Sequence, residues 1–443
     1  MLRTVSLFSG CGGLDYAFQS KGFDLVFAAD NDPKAIEVYR RNVDERAYVY
    51  DVVSAEFHEA IEKIGQCDVV LGGFPCQGFS KAGPKRADDE RNALYQEMKR
   101  AVAALKPTIF IAENVDGLHQ NFGGHYLKSI INDFADLGYS VEFKILDAAA
   151  FGVPQHRRRI IFVGTKFESH HSFHWPQPTH AAKSRNGEFS IVNDALSLWD
   201  TENTASVLAP PVTMHDAISD LVTLGGVSDH AVIKKWPEKY EHVFRAIGPG
   251  QKLCNVRHAA TAVYTWNIPE AFGYVTVRQK KILETIGLNR RHKQYGDIPN
   301  GNPLSLEVIQ ELSGLSEINC DEIDDLLTKN YIKEVAGKYD LKGAMFNSGL
   351  FKRPDWNEPS PTVLTIFDNP RYFLHPSENR PLSLRECARL QSFPDSFIFS
   401  QGDEASLKAG YRLVGNAVPP LLGQHLAISV KNYVEQSKGK VTQ

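Results

Sequence analysis

The chain has 443 residues, 42% of them hydrophobic and 23% charged, with a net charge of −4. That balance excludes a disordered chain and a uniformly basic nucleic-acid binder, and leaves a folded protein of two or three domains on which any nucleic-acid surface is local. No run approaches the roughly 18 apolar residues of a membrane span, glycines break the N-terminal apolar patch too early for a signal peptide, and six scattered cysteines fit a reducing cytoplasm better than a disulfide framework.

Short β-rich runs recur through the first 165 residues: Thr4–Phe8, Leu25–Ala29, Tyr48–Tyr50, Asp68–Leu71, Thr108–Ala112, Val141–Ile145 and Arg159–Val163. Between them lie amphipathic helical stretches, PKAIEVYRRN at 33–42, NALYQEMKRAVAALK at 92–106 and YLKSIINDFADLG at 126–138. This alternation predicts an α/β fold with a doubly wound, mostly parallel sheet. In such sheets ligands bind beyond the carboxyl ends of the strands, so the residues after each strand are the candidates for chemistry.

After the first run comes SGCGG at 9–13. Glycines allow positive φ and close backbone approach, which suits a nucleoside, but equally a tight strand–helix turn. A dinucleotide fingerprint would need a third glycine where Asp15 stands, so NAD is a poor fit. Asp30 follows the second run and Asp51 the third. An acid at the second strand end accepts bonds from ribose hydroxyls, although Asp30, Asn31 and Asp32 are also natural helix caps before Pro33. Glycines, Asp and Asp at three successive strand ends favour an adenosine-containing cofactor.

The fourth run leads into Phe74-Pro75-Cys76 and the fifth ends in Glu113. If both strands lie in the sheet, Cys76 and Glu113 face one cleft. A cysteine is a nucleophile only as thiolate, which nearby positive charge favours. The last run opens with QHRRR at 155–159. Residues two apart on a strand share a face, so Arg157 and Arg159 are expected to point together into that cleft, with Arg158 opposite; a solvated basic edge is the plainer alternative.

Beyond residue 165 the alternation stops. Residues 170–210 are rich in His, Pro, Ser and Asn and read as a linker or long loops. The histidines of 170–180 have no cysteine pairs beside them, so no metal site is expected. Residues 278–293, RQKKILETIGLNRRHK, are locally basic and are the expected phosphate contacts, or else a solvated helix face. Two short helices, at 303–314 and 320–330, then precede a hairpin turning at Ala336–Gly337, a winged-helix-like unit over about 300–346. Its second helix carries Asp321, Glu322, Asp324 and Asp325, a sign that repels phosphate, so the unit reads as scaffold or partner surface. A final helix starts after Pro419 and Pro420.

The stretches SLFSGCGGLDYAF (6–18), GGFPCQGFS (72–80), ENV (113–115), QHRRR (155–159), RPLSLRECARLQSFPDSF (380–397) and YRLVGNAVPP (411–420) together resemble the ordered motifs of DNA cytosine-C5 methyltransferases. The resemblance implies a Rossmann-like methyltransferase domain over 1–180 plus 400–443. A target-recognition domain over 181–399 would include the winged-helix-like unit. It implies S-adenosylmethionine as methyl donor, S-adenosylhomocysteine as product and duplex DNA as substrate, with the target cytosine flipped out of the helix. Cys76 would be the nucleophile that adds to cytosine C6, with Glu113, Arg157 and Arg159 completing the catalytic set. Phe8, Ser9, Gly10, Cys11, Gly12, Gly13, Leu14, Asp30, Asn31, Asp51, Val52, Pro75, Leu94, Asn416 and Ala417 would line the cofactor site, and Gln77 and Ser80 would meet DNA. Two departures stand out: Ser6 where the commonest form has Asp, and Asn31 where many members place a bulky residue over the adenine.

A tRNA methyltransferase of the same fold would carry a Cys-Phe-Thr signature that is absent, and a catalytically dead binding protein would lack one of the four catalytic residues. The resemblance further implies a monomeric, cytoplasmic modification enzyme with a cognate restriction endonuclease.

Overall fold

The computed structural model describes residues 1–75, 94–119, 125–167, 172–182, 208–221, 223–255, 261–299, 301–342 and 351–439. They pack as two compact units. The larger holds Met1–Ala231, Asn357–Thr365 and Ser383–Gln443, and the smaller holds Val232–Trp356 and Ile366–Leu382. These divisions differ from those expected at 180 and 400. Buried polar ties explain why. Arg385, fully buried, pairs with the equally buried Asp229 through Nε at 2.9 Å and also donates to the carbonyls of Pro394 and Phe397. Gln155 donates to Leu390 O at 3.1 Å and accepts from Val363 N at 2.8 Å. Segments near 229, 363 and 390 are therefore parts of the larger unit, and no local feature of the sequence announces that.

The seven expected strands form one sheet: β1 (Leu2–Leu7), β2 (Phe23–Asp30), β3 (Ala47–Val49), β4 (Val69–Gly72), β5 (Ile109–Val115), β6 (Tyr139–Asp147) and β7 (Arg158–Lys166), in the order β3-β2-β1-β4-β5-β7-β6. The first five are mutually parallel, and β7 runs antiparallel to both β5 and β6. The chain between β6 and β7 is too short for a crossover helix, and a parallel pair needs a connection of a dozen residues or more. The parallel strands are connected through α1 (Gly13–Ser20), α2 (Pro33–Asn42), α3 (Ala55–Ile64) and α4 (Tyr95–Leu105), and α5 (His125–Ala135) leads into β6.

Side-chain alternation sorts the core onto the two sheet faces. Phe110 and Ala112 of β5 join Phe57 of α3, Met98 and Val102 of α4 and Ile130 and Phe134 of α5. Ile109 and Ile111 face the other way, toward Phe18 of α1 and Leu422, Leu426 and Val430 of the C-terminal helix Pro420–Gly439. That helix lies so close to α1 that a Cβ at Gly423 would fall 2.7 Å from the Ala17 Cβ. Asp68, just before β4, accepts from Arg3 N at 2.8 Å and from Lys438 Nζ at 2.7 Å, tying both extremes of the chain to one carboxylate.

In the smaller unit, helices Leu306–Ser313 and Cys320–Thr328 and the hairpin Ile332–Val335/Lys338–Leu341 appear where the sequence placed them. Ala336 and Gly337 both take positive φ, 51° and 71°, the geometry of a hairpin turn whose twist matches the strands. A third helix, Val277–Asn289, completes the unit, burying Ile282, Leu283 and Ile286 against Ile309, Leu326 and Leu341. The segment 278–293, expected to meet phosphate or else to present a solvated helix face, thus has one side in the core. Arg278 pairs with Glu322 at 2.8 Å, and the buried Arg290 pairs with Asp340 at 2.9 Å, while Lys281, Arg291, His292 and Lys293 stay exposed. No helix among the described residues is long and apolar enough to cross a membrane, and no three His, Cys, Asp or Glu side chains gather there as metal ligands.

Candidate active site

The parallel strands of the larger unit end on one cavity of about 600 Å³. Its first wall is the turn after β1. Phe8 and Gly10 take φ of 54° and 56°, and Ser9 N donates to Ala29 O at 3.1 Å, bending the chain sharply over the sheet. A Cβ on Gly10 would meet nothing within 4 Å, so the turn leaves open space above it. Phe8, Ser9, Gly10, Cys11, Gly13 and Leu14 line the cavity. Gly12 does not. A Cβ there would sit 2.7 Å from the Tyr39 ring, so this glycine, expected on the cofactor side, instead lets the turn press against α2.

Asp30, at the end of β2, fixes the turn. One carboxylate oxygen accepts from Gly10 N at 2.9 Å and the other from Asp32 N at 2.9 Å. Burial pushes its carboxyl above the usual range, and those two amides act against the rise. Asn31, Asp51 and Val52 border the same end, with Asp51 accepting from Val53 N at 3.2 Å. Asp32 adds an ion pair to Arg412, which reaches the cavity from the helix Glu404–Asn416. Burial raises the Asp32 carboxyl, but the Arg412 guanidinium outweighs it and the net shift is downward. Asn416, Ala417 and Thr365 line the cavity nearby, and a Cβ on Gly13 would fall 2.4 Å from Val418 O, so this wall sits directly on the start of α1.

The opposite end is built by β4, β5 and β7. Gly72, Gly73, Phe74 and Pro75 continue from β4 along the cavity, with Leu94 across from them. Asn114 holds this stretch by donating to Phe74 O at 2.9 Å. One residue earlier, Glu113 meets Arg159 Nε at 2.7 Å, each side chain only 13% exposed. Arg158 points away, 3.7 Å from Asp116. Cys76, Gln77 and Ser80 lie outside the described residues, immediately beyond Pro75.

Arg157 does not share the position of Arg159. It precedes β7, so the two-residue alternation of a strand does not reach it. Its guanidinium is 1% exposed and donates to Val363 O at 3.2 Å and Gly415 O at 2.8 Å, while its amide donates to the Asp147 carboxylate. Burial, with Arg159 nearby, makes its proton easier to lose than an ordinary arginine's. Arg157 thus clamps the segments behind the cavity and is not part of its lining.

The cavity therefore offers a nucleoside-sized space with acids at one end and a carboxylate–guanidinium pair at the other. Burial pushes the Cys11 thiol to about 12, which keeps it from serving as a nucleophile there. Sequence reasoning gave no role to Asp15, Asn114, Thr365 or Arg412, all of which border the cavity. Asn114 and Arg412 were visible inside the ENV and YRLVGNAVPP stretches, whereas Asp15 registered only as a missing glycine and Thr365 gave no signal.

Residues 2–432 match the family model described as C-5 cytosine-specific DNA methylase. The Type II methyltransferase M.AgeI of Thalassovita gelatinovora is 31% identical over 97% of this chain and 99% of its own length. M.NgoFVII of Neisseria gonorrhoeae is 29% identical over 97% of this chain and 86% of its own. A crystal structure described as a prophage-encoded DNA modification methyltransferase of E. coli superposes with a TM-score of 0.53 at 22% identity, over 98% of this chain and all of that one, which bears on the fold.

Proposed function

The chain belongs to the C-5 cytosine-specific DNA methylase family, and on that premise we propose that it transfers a methyl group from S-adenosylmethionine to C5 of a flipped-out cytosine in a short duplex sequence. It does so as a cytoplasmic monomer whose biological counterpart is a restriction endonuclease. The observation that carries the reading is the cavity itself: the acid-lined glycine turn and the Glu113–Arg159 pair border one space of about 600 Å³.

The residues fit such a donor. A cavity on the order of 300–1,000 Å³ suits a nucleoside-sized ligand. The open space above Gly10 admits a ligand close to the backbone, and Asp30 keeps lone pairs free beyond its two amide bonds. Asp30 takes the ribose hydroxyls. Asn31, Asp51 and Val52 border the adenine, and Phe8, Leu14, Pro75, Leu94, Asn416 and Ala417 enclose the remainder. When bound, the donor supplies an electrophilic methyl group on a sulfonium.

Cys76, as thiolate, adds to C6 of the cytosine and makes C5 an enamine carbon able to take the methyl group. Glu113 bonds N3 and the exocyclic amine, neutralising the charge that develops on addition. Arg159 holds Glu113 in place and reaches O2 of the ring. Arg157, by joining Val363 and Gly415, sets the backbone that positions Arg159 and the Asn416 wall. Solvent water then takes the C5 proton, and the electron pair of the C5–H bond re-forms the C5–C6 double bond as the Cys76 thiolate is expelled, releasing methylated DNA. Gln77 and Ser80 contact DNA beside the target, and the smaller unit carries sequence recognition.

Base-resolution mapping of 5-methylcytosine in plasmid DNA from a methylation-free host expressing the chain tests this. Methylation of every copy of one short sequence is expected. Unmodified plasmid DNA from cells containing folded protein would overturn the reading.

A further inference from the structure

Five carboxylates border the cavity: Asp15, Asp30, Asp32, Asp51 and Glu113. Four are engaged. Asp30 accepts from two backbone amides, Asp51 accepts from the Val53 amide, Asp32 pairs with Arg412 and Glu113 pairs with Arg159. Asp15 differs. It stands in the first turn of α1, is 1% exposed, and is hydrogen-bonded by the Ser6 side chain from the end of β1. Its Oδ1 is buried without any hydrogen bond, and no Lys, Arg or His pairs with it among the described residues. The titratable groups facing it are Cys11 in the turn and Tyr39 on α2, both kept neutral by burial. A buried carboxyl with an open acceptor and no counter-charge is costly unless it stays protonated or receives a cation.

We infer that Asp15 is a cofactor-binding residue, whose carboxylate takes the α-ammonium group at the amino-acid end of the methyl donor. This rests on the reading of the cavity as a methyl-donor site. The amino-acid end presents one anion and one cation. The first turn of α1, from Gly13, offers amides without intrahelical acceptors for the anion, and Asp15 is the lining acid left over for the cation. Burial raises the Asp15 carboxyl to about 7, so near neutral pH much of it carries a proton that an incoming ammonium must displace.

The test compares two probes by calorimetry, S-adenosylhomocysteine and 5′-methylthioadenosine, which lacks the amino-acid end. Asp15→Asn is expected to weaken S-adenosylhomocysteine about 10- to 100-fold, the scale of one charge-assisted bond, and to leave 5′-methylthioadenosine unchanged. Equal weakening of both probes would mean that Asp15 only supports the glycine turn. No weakening of either would mean that the ammonium is held elsewhere. Both results overturn the inference. The native chain supplies a second measurement that needs no variant. In buffers of differing ionisation enthalpy at pH 7, S-adenosylhomocysteine should release protons on binding, and 5′-methylthioadenosine should not. Equal proton release for the two would also overturn it. If the native chain bound neither probe, the methyl-donor reading itself would fall, an outcome distinct from the others.

Discussion

Glu113 and Arg159 meet at 2.7 Å across the antiparallel seam between β5 and β7. The seam holds a charged pair at the carboxyl end of the parallel strands, beside the point where the chain leaves Pro75 for Cys76. Glu113→Gln keeps the shape but cannot exchange a proton with the base. Turnover is expected to fall roughly 100- to 10,000-fold, as for loss of a general acid, with DNA affinity changed only a few-fold. Methyl-transfer rates and duplex binding measured on the same preparation check this, and comparable losses in both would point to a structural part for Glu113.

Cys76→Ala removes the thiolate and should abolish methyl transfer while leaving S-adenosylhomocysteine binding in place. Methyl transfer at a measurable fraction of the native rate would rule out the covalent route.

The buried Asp15 has a signature in pH. Unfolded, it titrates at about 4. Folded, it titrates at about 7. Between those values the folded chain keeps a proton that the unfolded chain has released, so this group's contribution to stability is complete at low pH and is lost as pH rises through 7. The loss is on the order of a few kcal/mol. Asp15→Asn should therefore unfold at a higher temperature than the native chain at pH 8, with the gap shrinking to about a third of that at pH 5, both without ligand. Thermal unfolding at the two pH values decides it, and an equal difference at both would contradict the assignment.

Asp229→Ala would leave Arg385 charged and buried, with the Pro394 and Phe397 carbonyls and the more distant Asp395 carboxylate, 3.7 Å from Nη1, as its remaining partners. The expected cost is roughly 3–5 kcal/mol. Denaturant unfolding measures it, and a change below about 1 kcal/mol would mean that the pair is far better hydrated than its burial implies.

Much of this architecture is legible from local pattern. All seven strands, the three helices marked in the first half and the hairpin at Ala336–Gly337 lie where hydrophobic period and turn chemistry put them, because those signals are carried by neighbouring residues. What the sequence hid depends on distant partners. Arg157 seemed to share a face with Arg159, but its orientation is set by Val363 and Gly415, some 200 residues and more along the chain. Gly12 belonged to a glycine cluster that pointed to a ligand, yet what decides its side is the Tyr39 ring. Asp15 broke a glycine pattern, and only burial shows that its carboxyl has no counter-charge. The roles of 355–400 stayed hidden because their ties run to Gln155 and Asp229.

The shared carboxylate of Asp68 gives the larger unit a ring-like connectivity. Arg3 and Lys438 both reach Asp68, and the last helix closes one face of the sheet against α1, the first. During synthesis the first strands and helix would wait for that last helix to cover them, so the cavity walls contributed by Arg412, Asn416 and Ala417 are added long after the glycine turn that borders the same cavity. Because the two extremes are neighbours, a short linker joining them, with new ends opened in an exposed turn of the smaller unit such as Ala336–Gly337, should give a circular permutant that builds the same sheet from a different starting point.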